Sequence, residues 1–153
     1  MMEVVLVEPQ IPPNTGNIAR LCAATCLPLH LVGRLGFQVT DRHLKRAGLD
    51  YWEYAQIHRH PSVEKFFHEL SSDQLLFFSK KGKESYIHAN YREGNFLVFG
   101  SETEGLPEWV FERYSDRIWR IPIFHPKVRS LNLAGAVSIV AYEALRQTGK
   151  LAG

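Results

Sequence analysis

Apolar positions along the chain follow two patterns in turn. Short β-rich runs occur at 3–8 (EVVLVE), 27–33 (LPLHLVG), 54–58 (YAQIH), 74–79 (QLLFFS), 95–100 (NFLVFG) and 117–123 (RIWRIPI). Between most of them lie segments of helical periodicity, at 17–26, 40–48, 62–71, 107–114 and 131–147. Such alternation predicts an α/β fold, a mainly parallel sheet flanked by helices. No repeat, low-complexity tract or linker breaks the pattern, so 1–153 reads as a single domain, long enough to bury its own core.

In sheets of this kind ligands bind beyond the carboxyl ends of the strands, where loops feed into helices. Three post-strand loops are chemically unusual, at 9–17, 100–107 and 122–130, and a fourth, SKKGK at 79–83, is short and basic. In the first, Asn17 is the expected N-cap of a helix whose apolar stripe includes Ile18, Leu21 and Cys22, with Gly16 giving a permissive backbone before it. That start would place Arg20 in the first helical turn, where a cation opposes the helix dipole, and a residue that breaks a local rule beside a cleft is a functional candidate.

The second loop, GSETEGLP, should feed a helix that begins at Pro107, with Glu108 complementing its dipole. Glu102 and Glu104 have no such structural role, so each is either a solvated loop acid or a functional group. In the third loop Ser130 is the expected N-cap of the last helix. That helix is apolar nearly all round, from Leu131 to Leu145, which implies burial on more than one side and suggests a subunit interface. Gly135, Ala136 and Ser138 would admit a closely packed partner helix.

Composition narrows the function classes. With 45% hydrophobic and 22% charged residues the chain is ordinary for a soluble globular protein, and a net charge of +2 permits a nucleic-acid partner without implying one. No signal peptide or membrane-length apolar run is present, which gives a cytoplasmic expectation. Cys22 and Cys26, spaced i,i+4, read as two buried thiols on one helix face. The seven histidines show no metal-ligand spacing, so no metal is expected. Dinucleotide (GxGxxG), P-loop (GxxxxGK[ST]) and nucleophile-elbow (GxSxG) motifs are all lacking.

Taken together, NTGNIAR (14–20), FGSETEGLP (99–107) and IPIFHPKVRSLNLAGAVSI (121–139) resemble the three ordered motifs of the SpoU branch of the SPOUT RNA methyltransferases. The resemblance implies S-adenosylmethionine-dependent methylation of a ribose 2′-hydroxyl in RNA, a homodimer formed through the C-terminal helix region, and a deep trefoil knot in the C-terminal third. The minimal length, with EPQIPPNTGNIARLC and RAGLDYWE, is similar to the single-domain members that modify the wobble nucleotide of tRNA, leucine tRNAs being the expected substrates. A sibling acting on another tRNA or rRNA ribose, or an RNA-binding module without turnover, remains an alternative.

Carried over by motif, the family's catalytic arginine matches Arg20, with Asn17, Glu102 and Asn132 as orienting groups. Phe78, Gly100, Ile121, Ser130 and Leu131 match the cofactor contacts. An arginine is a poor general base, so Arg20 acts either as base or as a clamp on phosphate and developing alkoxide. Basic residues placed to meet RNA phosphates are Arg42, Lys45, Arg46, Lys80, Lys81 and Arg129. Tyr51, Trp52 and Tyr54 offer stacking surfaces for an unpaired base or serve as core and interface aromatics.

Overall fold

The computed structural model describes residues 1–39, Arg42 and 49–152. Seven parallel strands form one sheet: β1 (Glu3–Val7), β2 (Leu29–Val32), β3 (Ile57–His60), β4 (Leu75–Phe78), β5 (Glu84–Ser85), β6 (Phe96–Phe99) and β7 (Ile118–Arg120). Their spatial order is β3-β2-β1-β6-β4-β7-β5. The central strands β1, β2, β4 and β6 are buried on both faces, which explains their unbroken apolar runs. Edge strand β3 mixes exposed and half-buried positions.

Strand alternation divides the core in two. Val4, Leu6, Leu29, Leu31, Leu76, Phe78, Leu97 and Phe99 face α1 (Pro12–Thr25) and the last helix, α4 (Leu133–Gln147). Val5, Val7, Val32, Leu75, Phe77, Phe96 and Val98 face two one-and-a-half-turn helices, α2 (Val63–His68) and α3 (Glu108–Arg113). Because every strand runs the same way, the loops after β1, β4, β6 and β7 all leave one edge of the sheet.

Several expectations shift. The strand placed at 54–58 begins only at Ile57, since Leu49–Tyr54 forms a 3-10 turn whose Trp52 packs on the core. The helix placed at 40–48 lies outside the described residues. Two-residue β5 is too short to carry a pattern. Cys22 is buried, its thiol pushed up to about 12 by desolvation, but Cys26 is exposed. It sits at the left-handed C-cap of α1, just past the helical face assigned to it. Among the described residues no helix is long and apolar enough to cross a membrane.

Candidate functional site

Helix α1 starts at Pro12, five residues earlier than the sequence pattern suggests. Paired prolines at N1 and N2 suit a first turn, whose N–H groups lack intrahelical acceptors in any case. Asn17 is therefore not the N-cap. It lies exposed within the helix, three residues before Arg20 on the same side. Arg20 is exposed in the third turn, so the argument that it opposes the dipole from the first turn fails. Among the described residues its guanidinium packs on the ring of Tyr51, 4.8 Å from the centroid.

The true N-cap, Ile11, has no side chain able to cap. Glu102, from the loop after β6, takes over that role. Its carboxylate accepts from Gln10 N (2.8 Å), Ile11 N (3.0 Å) and Asn14 Nδ2 (3.1 Å). A negative charge there also complements the helix dipole. Glu102 is thus the fastener between the first and second loops, whereas Glu104 is exposed.

Asn14, 7% exposed, extends the link to the third loop, its Oδ1 accepting from Asn132 Nδ2 at 3.0 Å. Asn132, rather than Ser130, is the N-cap of α4, and its Oδ1 accepts from Ala134 N (3.0 Å) and Gly135 N (3.4 Å). Ser130 stands exposed in the preceding loop. Pro107 likewise caps α3 instead of opening it. One hydrogen-bonded chain, Glu102–Asn14–Asn132, joins all three motifs. Asn14 is the member that sequence reasoning missed. Its position in NTGN carried a signal, but assigning Asn17 to the cap placed Asn14 in a free loop.

The candidate cofactor residues gather at adjacent strand ends. Phe78 ends β4 and pairs in register with Phe99 of β6 and Trp119 of β7, which places Gly100 and Ile121 beside it. Phe78 is buried and stacks on Phe99 at 5.2 Å. Gly100 has no room for a side chain: a Cβ there would lie 2.2 Å from the carbonyl carbon of Gly105 and 2.3 Å from Leu106 N. The 100–107 loop therefore folds flat on itself, closed by the Ser101–Gly105 bridge. Ser130 and Leu131 lie in the loop before α4, Leu131 being 38% exposed.

These residues present apolar walls and backbone polar groups and no phosphate-gripping glycine loop. That chemistry fits an adenine-bearing sulfonium, which has no phosphate to hold. Two open hollows, of about 440 and 390 Å³, lie around Glu64, Trp109 and Arg113 and around Glu8, Gly33 and Val63. The second is also lined by Pro107, the last residue of the second motif.

Of the basic candidates, Arg42, Lys80, Lys81 and Arg129 are exposed, and the Lys81 ammonium lies 5.2 Å from the Phe111 ring centroid. Lys45 and Arg46 lie outside the described residues. Among the aromatics, Tyr54 is 72% and Tyr51 42% exposed, while Trp52 is tied to the core. Among the described residues no cluster of His, Cys, Asp or Glu is arranged to hold a metal. Three of the seven histidines, His30, His58 and His60, do come together, however. His30 Nδ1 lies 2.9 Å from His60 Nε2, and His30 Nε2 lies 2.7 Å from Glu3.

Comparison with known proteins places this arrangement. Residues 1–142 match the model of the SpoU rRNA Methylase family. A Saccharophagus degradans protein named tRNA (cytidine(34)-2′-O)-methyltransferase is 45% identical over 150 residues, covering 97% of both chains. Its Escherichia coli K12 namesake is 43% identical over 97% of this chain and 95% of its own. A solved structure concerned with 2-OH methylation of C/U34 on tRNA superposes with a TM-score of 0.88 at 46% identity, covering 96% of this chain and 95% of that one. An AdoMet-bound rRNA methyltransferase from Sinorhizobium meliloti superposes at 0.82 with 28% identity, over 95% of this chain and 56% of that one. With its three motifs bound together at one sheet edge, the chain belongs to the SpoU methylase family.

Proposed function

We propose that the protein is a tRNA 2′-O-methyltransferase that uses S-adenosylmethionine to methylate the ribose of cytidine or uridine at the wobble position, 34, with leucine tRNAs as its substrates. The observation that carries this reading is the three-motif assembly, Glu102–Asn14–Asn132, at the same sheet edge as the strand-end residues Phe78, Gly100 and Ile121. Relatives matched over nearly their whole length support the choice of nucleotide.

The chemistry assigns roles to the chain's own residues. When bound, the cofactor supplies an electrophilic methyl group. Phe78, Ile121 and Leu131 enclose its apolar parts, while backbone groups around Gly100 and Ser130 orient it. The ribose hydroxyl is a weak nucleophile and must be aligned and relieved of its proton as the methyl transfers. Arg20, exposed on α1 and carrying a planar fork of N–H donors, suits a bidentate grip on the adjacent phosphate and the developing alkoxide better than it suits proton abstraction. Asn17, on the same helical side, is a second contact to the nucleotide. Glu102 and Asn132 act at one remove, holding the loops that present these groups.

Two further elements belong to this reading. Strand β7 lies between β4 and β5, and the connection 79–83 closes over it so tightly that a Cβ on Gly82 would lie 2.4 Å from the Trp119 carbonyl carbon. A connection that crosses the strand lying between its two ends supports the trefoil knot that the family resemblance implies, against the general rule for chain topology. Helix α4 buries Val137, Val140, Ala141 and Ala144 within the chain but exposes Ile139 and Tyr142, next to a loop that exposes Phe124, Val128 and Leu131. An apolar surface of that kind supports homodimerisation through this region. Arg42, Lys80, Lys81 and Arg129 then supply phosphate contacts.

The test is transfer of labelled methyl from S-adenosylmethionine to unmodified tRNA, followed by alkaline hydrolysis. Label retained in a dinucleotide that begins at position 34 is the expected result. Label in another dinucleotide would reassign the substrate, and cofactor binding without transfer would leave only a binding module. Replacing Arg20 with Ala should cost at least about a hundredfold in turnover with cofactor binding intact.

A further inference from the structure

Resting on the proposal that Arg20 touches the reacting nucleotide, we infer that Tyr51 is a positioning residue that holds the Arg20 guanidinium ready for it. Arg20 projects from the third turn of α1, and its Cζ lies 4.8 Å from the Tyr51 ring centroid. The 3-10 turn Leu49–Tyr54 packs along α1 and is anchored by the half-buried Trp52, so Tyr51 is delivered to this place by a fixed element.

The kind of contact matters. A free arginine side chain samples many rotamers, and a site that needs one of them gains rate when the rest are suppressed. A carboxylate would achieve this by occupying the N–H donors that substrate needs. An aromatic face instead takes the flat side of the guanidinium and leaves its in-plane donors open for an oxygen pair. Tyr51 is still 42% exposed, so this edge of the site remains open to RNA. The role belongs to the ring, and the hydroxyl is not needed.

Three variants test this in the full-length enzyme with tRNA and S-adenosylmethionine. Tyr51→Ala should lower kcat about tenfold while the KM for tRNA and cofactor binding stay near wild type, because alignment is lost and binding is not. Tyr51→Phe should restore wild-type kcat. In an Arg20→Ala background, Tyr51→Ala should add no further loss, since residues acting as a unit are not additive. An independent readout is the Nε–H resonance of Arg20, shifted by the ring current in wild type and Tyr51→Phe and returned to an ordinary position in Tyr51→Ala.

Unchanged kcat in Tyr51→Ala would overturn the inference, as would a rise confined to the KM for tRNA, which would make Tyr51 a base-stacking surface. A Tyr51→Phe variant as slow as Tyr51→Ala would also overturn it. An Arg20 resonance indifferent to residue 51 would deny the contact itself, whatever the activity. Wild-type protein that transfers no methyl to RNA would instead overturn the proposed function, and the positioning role with it.

Discussion

Asn14 and Asn132, 118 residues apart in sequence, share a hydrogen bond of 3.0 Å that ties the first turn of α1 to the N-cap of α4. Each amide has its other end committed as well, Asn14 Nδ2 to Glu102 and Asn132 Oδ1 to the first N–H groups of α4. The pair is a joint between two helix starts and fixes how the loops at the candidate site sit relative to one another. Its donors and acceptors are fully directional, since Asn14 can satisfy a carboxylate and an amide only in one orientation.

The joint predicts coupled losses. Replacing Asn14 with Ala removes its bonds to Asn132 and to the Glu102 oxygen that Ile11 N also holds. Because Asn132 is exposed and Glu102 half-buried, the loss should be about 0.5–1.5 kcal/mol. Asn132→Ala should cost a similar amount, because it also removes a cap. The double variant should be less unstable than the sum by about 1 kcal/mol, read as a coupling energy in urea melts. Additive losses would mean that the two residues act separately. Asn14→Asp should be no better than Ala, because it turns a carboxylate towards Glu102.

How far the sequence could be read follows from how local each cause is. The strand and helix alternation was legible because central strands buried on both faces leave runs such as VVLV and LLFF. The start of α1 was not legible. PPNTGN resembles a turn by composition, yet the prolines occupy N1 and N2, and the cap is a carboxylate 91 residues away at Glu102. The same non-local bond converts Glu102 from a loop acid into a fastener. At α4 the sequence points to Ser130 as the cap, and only the bonds from Ala134 and Gly135 select Asn132. The histidine cluster depends on register: His30 pairs with His58 across two strands, and His60 falls on the same face two residues on.

Gly100 and Gly105 should respond differently to alanine. At Gly100 the added Cβ meets the backbone of Gly105 and Leu106 at 2.2 and 2.3 Å, so the loop itself must move. At Gly105 the space is open and the only penalty is φ of +70°, about 1–2 kcal/mol for an L-residue. Gly100→Ala should therefore abolish cofactor binding, measured by calorimetry, while Gly105→Ala binds with reduced stability. Equal binding by both would show that the 100–107 loop is not part of the pocket.

Lys80, Lys81 and Arg129 are exposed cations around the strand ends, and as phosphate contacts they should announce themselves through salt. Each removed contact should weaken tRNA binding at all sequences alike and reduce the slope of log affinity against log salt by about 1. Lys81 is the sharpest case, since its ammonium is already held over the Phe111 ring. A Lys81→Ala variant whose affinity falls without any change in slope would assign the loss to packing.

Acid should loosen the fold at the edge of the sheet before it reaches the carboxylates. His30 stacks on His58 (4.9 Å) and His60 (5.1 Å), hydrogen-bonds Glu3 and His60, and is covered by Phe66 of α2 and Phe96 of β6. Burial lowers the pKa of both His30 and His60 below 6.5: at His30 it outweighs the support of Glu3, with a smaller lowering from His58, and at His60 the charges of His30 and His58 add to it against Glu69. The unfolded chain thus takes up protons first on acidification. Stability is at its full value above about pH 6.5 and declines as the pH falls from there to the folded-state values, by at most about 1.4 kcal/mol per pH unit for each histidine. Glu143, held below 4.5 by its bond to Arg146, contributes stability that is lost only at lower pH, in a separate window. Urea melts at about pH 7.5 and 5.5 should show the wild type weakened at the lower pH and a His30→Phe, His60→Phe variant much less so. An equal pH dependence in both proteins would place the acid-sensitive groups elsewhere.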